Sequence, residues 1–182
     1  MIHSLHEQVA KTFESIAPKH GLIIQLDEAC VNKTTGTIFQ HLPFFLSINA
    51  HNDTEITNVD ILVLKNEKVK LVCEIEESDI SPVRIYGKAF TSATAIMCQL
   101  ANNSRYDMDN RGVFIQILSS KQLPAASNKE KQGANIVDAI NDLLRYGGSW
   151  IKKYYLIYGD VNDFKPRNRG YVEIEKIMNE DF

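Results

Sequence analysis

Two β-rich runs, Ile56 to Leu64 and Val69 to Ile75, flank the turn-forming Asn66-Glu67-Lys68. This is the strongest local constraint in the chain, and it predicts a hairpin. Its strands also carry acids: Asp60 on the first, and Glu74-Ile75-Glu76 at the end of the second. Residues two apart on a strand share a face. Val72, Glu74 and Glu76 therefore project to one side, and Leu71, Cys73 and Ile75 to the other. The second set is a core face, which leaves the two glutamates pointing together. Neighbouring carboxylates repel unless they are protonated, solvated or bridged by a cation. A turn with an odd number of residues pairs Leu64 with Lys70 and sets Asp60 opposite Glu74, so that three carboxylates converge. A two-residue turn sets Asp60 opposite Cys73, on the wrong face. A metal site therefore calls for the odd turn. Oxygen ligands from carboxylates, a backbone carbonyl and water suit Mg²⁺ or Mn²⁺. The plainer alternative is a solvated strand edge.

The flanking segments give an order of elements. Leu5, Val9, Phe13 and Ile16 recur at helical spacing, so a helix is predicted from Ser4 to Ala17, with Ser4 and Glu7 at capping-box spacing and Pro18 as the stop. Leu22–Leu26 and Phe44–Ile48 read as strands, with a turn at Asn32-Lys33-Thr34-Thr35-Gly36 between them. Ser81-Pro82 opens a helix running to about Ala101, with Val83, Tyr86, Phe90, Thr94 and Met97 on its packed face and Gly87 allowing close approach. Val113–Leu118 reads as a buried strand, and Lys121–Gly133 as a mobile polar loop. A helix through Ile136, Val137, Ile140, Leu143 and Leu144 ends before Gly147, and Tyr154–Tyr158 is a further strand. The tail from Gly159 has no clear pattern. Antiparallel strands followed by β-α-β crossovers predict an α/β (α+β) fold, a mixed central sheet flanked by helices, in one domain over 1–182.

Composition excludes several classes. The 182 residues, 44% of them hydrophobic, are enough for one sizeable core. No apolar run approaches the roughly 20 residues of a membrane span. The first residues lack the basic flank and apolar core of a secretory signal. Cys30, Cys73 and Cys98 are an odd set without CxxC spacing, which predicts free thiols and a cytoplasmic setting. A formal charge of −3 does not advertise a nucleic-acid partner, although charge distribution matters more than the sum. There is no Gly-rich phosphate loop and no GxSxG elbow.

With Asp60, Glu74-Ile75-Glu76 and this order of elements, the chain from Ser4 to Leu118 resembles the PD-(D/E)xK nuclease superfamily, which includes many restriction endonucleases. Asp60 matches the first acid of that pattern and Glu74 the second. Val59 stands where proline is usual, and Glu76 stands in the lysine position, a variant some restriction enzymes carry. In other members the lysine has moved to the following helix, where Lys88 lies. Glu7 or Glu14 on the first helix could add an outer acidic ligand. The resemblance implies a restriction endonuclease-like core and metal-assisted hydrolysis of a DNA phosphodiester. Asp60, Glu74 and the Ile75 carbonyl would hold the metal, and Glu76 would complete the site or orient water. Lys88 or Arg84 would stabilise charge on the phosphate. At this size duplex cleavage implies a homodimer, one centre per strand.

Lys152, Lys153, Lys165, Arg167 and Arg169 make the C-terminal part locally basic, and Lys165-Pro166-Arg167-Asn168-Arg169 is a candidate phosphate contact. Lys121, Lys129 and Lys131 lie in the polar loop. His3 and His6 have helical spacing, but a frayed terminus is a poor site. Cys73, Trp150 and Tyr154 read as core. Two rival readings share these residues: a non-catalytic nucleic-acid-binding module on the same fold, and a protein-interaction domain whose carboxylates are surface.

Overall fold

The computed structural model describes residues 4–31, 40–78, 80–123 and 128–182. The turn expected at Asn32–Gly36 lies outside them, as do His3 and 124–127 of the polar loop. The elements are α1 (Ser4–Ile16), β1 (Ile23–Leu26), β2 (Pro43–Phe45), β3 (Glu55–Asn58), β4 (Ile61–Lys65), β5 (Lys68–Glu76), α2 (Pro82–Thr94), β6 (Met97–Gln99), β7 (Arg105–Ser119), α3 (Lys129–Tyr146), β8 (Ile151–Gly159) and α4 (Arg169–Asp181).

The eight strands form one mixed sheet in the order β1-β4-β5-β7-β6-β2-β3, with β8 also joined to β7. The strands β5, β7 and β8 are parallel; the remaining pairs are antiparallel. Long β7 has β5 along one edge and two partners in turn along the other. Arg105–Asp107 pairs with Gln99–Met97, and Gly112–Ser119 pairs with β8. Between these halves a side chain on Gly112 would meet the Trp150 ring at 2.1 Å, while the Gly112 N–H donates to the Trp150 carbonyl at 2.9 Å.

Helices cover both faces. On one face α1 and α4 pack against Ile61, Val63, Leu71, Cys73, Ile75, Ile115 and Ile117. On the other, α2 and α3 pack against Leu62, Val69, Val72, Phe114, Leu118 and Tyr154. A parallel strand buried on both faces needs apolar residues at successive positions, which β5 and β7 supply. Against that background Glu74, Glu76 and Gln116 stand out as buried polar residues in the central strands. The three cysteines are buried free thiols, and Trp150 and Tyr154 lie in the core. Among the described residues no helix is long and apolar enough to cross a membrane.

Several elements differ from the sequence reading. The expected strand Ile56–Leu64 is two strands. It breaks at Val59-Asp60, so β3 pairs with β2 at the far edge while β4 enters the centre. The second helix stops at Thr94 rather than Ala101, because the next residues extend: the Ile96 N–H donates to the Phe45 carbonyl, and β6 follows. Its buried face is Ile85, Ala89, Ser92 and Ala93. Val83 is exposed, and Gly87 faces open space rather than a close neighbour. The helix α3 begins at Lys129, inside the segment read as loop, and the unassigned tail forms α4.

Candidate metal and phosphate site

The β4–β5 hairpin closes on two residues, Asn66 and Glu67, both at positive φ (52° and 59°). These angles are those of a type I′ turn, whose twist matches the flanking strands. The turn is therefore not of odd length. The odd residue sits one step later: Leu64 pairs with Val69 and Val63 with Leu71, leaving Lys70 in a bulge. The bulge restores the register that a two-residue turn alone would lose. Ile61 pairs with Cys73, so the next step along both strands brings Asp60 level with Glu74.

Asp60 is held at three points. Its Oδ2 accepts from the Ile75 N–H at 2.7 Å, and its backbone carbonyl accepts from the Asp27 N–H and the Cys30 thiol. The side chain thus takes the place that a β4 residue would hold in the ladder, which is why the strand breaks there. Its carboxylate keeps 17% of its exposure, against 3% for Glu74. Lys88, one turn and a half into α2, bonds Glu74 Oε2 at 2.9 Å. Glu74 Oε1 is buried without a hydrogen-bond partner. Burial first, and then the adjacent Asp60 carboxylate, push Glu74 up to about 8 against the opposing pull of Lys88. Burial also raises Asp60, opposed by His6 and by the Ile75 N–H.

Glu76 does not join this pair. Its Oε2 bonds Arg84 Nε at 2.5 Å, and its Oε1 accepts from the Ser78 N–H and hydroxyl at 3.1 and 2.9 Å. Two carboxylates converge rather than three, and among the described residues no group of three or more His, Cys, Asp or Glu is placed to hold a metal ion. Asp60 and Glu74 nevertheless suit Mg²⁺, which keeps several waters and binds through one or two carboxylates plus substrate phosphates. The raised proton affinity of both acids comes first from burial, and a hard cation between them would offset the cost of charging them.

His6 was not expected here. Instead of fraying, it is buried in the first turn of α1, with Nδ1 at 2.8 Å from Glu77 Oε1 and Nε2 at 3.7 Å from Asp60 Oδ2. Its spacing to Ala10 and Phe13, both buried, was the available signal. Neither expected helical acid takes that place: Glu7 pairs with Lys11 at 2.7 Å, and Glu14 is exposed.

The parallel strands place the charges around the centre. Glu76, Leu118 and Tyr158 are register partners, so the loops leaving β5, β7 and β8 emerge at one edge of the sheet. The loop after β8 is fixed to α1 through the Phe164 carbonyl, which accepts from Gln8 Nε2 and Thr12 Oγ1 at 3.1 and 2.6 Å. Lys165, Arg167 and Arg169 are exposed there, as is Lys121. Arg169 also donates to the Tyr158 carbonyl at 2.6 Å. Lys152 and Lys153 belong to the other end of β8, with Lys153 bonded to Asp181, so the sequence's basic cluster divides between two edges. An apolar cavity of about 600 Å³, lined by Phe90, Ile96, Leu143 and Trp150, lies at that same far end, away from Glu74. Comparison of the chain with protein-family models, curated proteins and solved structures found no match.

Proposed function

We propose that the chain is a metal-dependent DNA endonuclease of the restriction-enzyme type. One observation carries the reading: a buried carboxylate, Glu74, and a partly buried one, Asp60, converge where the strand breaks, with a lysine delivered onto Glu74 by the next helix. Held by Asp60, Glu74 and the Ile75 carbonyl, Mg²⁺ or Mn²⁺ supplies Lewis-acid stabilisation of phosphate charge and acidification of water. Lys88 is placed to move from Glu74 towards a phosphate oxygen and stabilise the charge that grows on it. Glu76 orients Arg84 as a second phosphate donor rather than binding the cation. Lys165, Arg167 and Arg169 contact the backbone of the nucleic acid at the same edge. Cutting both strands of a duplex takes two such centres, hence a homodimer.

The test uses purified protein, supercoiled and linear duplex DNA, single-stranded DNA and RNA, with Mg²⁺ or Mn²⁺. The expected result is cation-dependent nicking or cutting of DNA that chelation or Glu74→Ala abolishes. No cleavage of any substrate with either cation overturns the reading, and DNA binding under those conditions would favour a non-catalytic module.

A further inference from the structure

Gln116 stands in the middle of β7, 1% exposed, level with Glu74 on the adjoining strand. Residues at one register of neighbouring strands project to the same face. Its side chain therefore lies beside that of Glu74, on the α2 side of the sheet. On its other flank the Tyr154 hydroxyl, from β8, donates to Gln116 Oε1 at 2.7 Å. Burial pushes the Tyr154 phenol above its ordinary value, so it remains a donor.

This contact fixes the amide. A primary amide has one acceptor oxygen and one donor nitrogen on opposite flanks. Because β7 lies between β8 and β5, drawing the oxygen towards Tyr154 leaves the Nε2–H₂ free for the β5 flank, although it makes no hydrogen bond to Glu74 Oε1 in the structure. Among the described residues the Tyr154 bond is the one hydrogen bond of this side chain. Glu74 has the complementary shortage: Oε2 is taken by Lys88, and Oε1 has no partner. A buried acceptor without a partner is unusual in a core, where such groups are nearly always paired, and the Gln116 amide stands at the same register on the adjoining strand.

We infer that Gln116, locked by Tyr154, is a positioning residue for Glu74, donating from Nε2 to the charged carboxylate so that its oxygens are held for a cation. The inference rests on the metal-site reading of Asp60 and Glu74. It adds β7 and β8 to a centre otherwise built by β4, β5 and α2. A hydrogen-bonded outer partner is the usual support of a metal-binding carboxylate.

Mn²⁺ titration calorimetry and thermal denaturation on three variants test it. Gln116→Leu is expected to weaken Mn²⁺ binding about 10–100-fold, the range for losing such a partner. It also strands the Tyr154 hydroxyl and lowers Tm. Tyr154→Phe keeps the ring stacked on Phe114, at 5.7 Å between centroids, and releases the amide. It is expected to weaken binding with a smaller loss of Tm. The double variant Gln116→Leu/Tyr154→Phe removes both polar partners, so Tm should recover while affinity stays low. Affinity that recovers with Tm, or that is unchanged in Tyr154→Phe and the double variant, overturns the inference and leaves the pair as packing. If the wild-type chain binds no Mn²⁺, the metal-site reading fails and this inference with it. Wild-type binding that the variants do not alter removes this inference alone.

Discussion

Glu76 and Lys88 are told apart by which side chains they touch. Glu76 spends both oxygens on Arg84 and Ser78, whereas Lys88 reaches Glu74. The two residues are expected to separate in cleavage assays. Lys88→Met should lower the rate by about 10²–10³, the cost of removing one electrostatic stabiliser. Glu76→Gln keeps the Ser78 contacts and should leave Mn²⁺ affinity nearly unchanged; a loss of binding as large as that of Glu74→Ala would make Glu76 a ligand after all. Strand alternation is local, so it set Glu74 and Glu76 on one face, but the expected convergence of Glu76 with Asp60 failed because Arg84 and Ser78 hold its carboxylate. His6 and Gln116 were not legible in the sequence. Their partners lie on Glu77, Asp60 and Tyr154, and no spacing rule links residues so distant in the chain.

At the scale of elements, the first and third helices and the central hairpin follow from periodicity, and they form nearly where the pattern put them. The errors cluster where a long-range bond outweighs local preference. Asp60 reaches Ile75 and splits a β-branched run; Phe45 captures Ile96 and ends a helix. The N-terminal half of β7, with alternating charges, is a strand because β6 pairs with it. The turn shows the same limit from the other side: its length was misread, yet the bulge at Lys70 delivered the expected register. One element also guards another. Asn141, on α3, accepts from the Tyr154 N–H at 2.9 Å and donates to the Tyr154 carbonyl at 3.0 Å, closing part of the outer edge of β8. Open edges recruit other strands. Asn141→Leu should cost about 1–3 kcal/mol in denaturant unfolding by stranding two backbone groups. It should also give concentration-dependent association in sedimentation. An unchanged midpoint and a constant sedimentation coefficient would show that the edge needs no guard.

For the whole molecule, Glu74 and Asp60 couple folding to pH. Glu74 in the folded chain holds its proton to about 8, well above the usual glutamate value of 4.5. Between these values the unfolded chain has lost a proton that the folded chain keeps, so stability falls as pH rises through that window. Asp60 shifts in the same direction. In chelator, Tm is expected to drop from pH 5 to pH 8, and Glu74→Gln should flatten the drop. Mn²⁺, which displaces the proton, should raise Tm more at pH 8 than at pH 5. Melts of Glu74→Gln with the wild-type slope would place the titrating group elsewhere. Gly112 bears on the molecule in another way. It is the point at which β7 leaves one partner for another, pressed against Trp150 where no side chain fits. On one edge the strand answers to β6 before it and to β8 after it, while β5 runs along the other edge of both halves and Phe44 of the wing packs on Trp150. A side chain at 112 would displace the Trp150 ring from both halves at once, so one sheet holding two kinds of edge depends on one position staying bare.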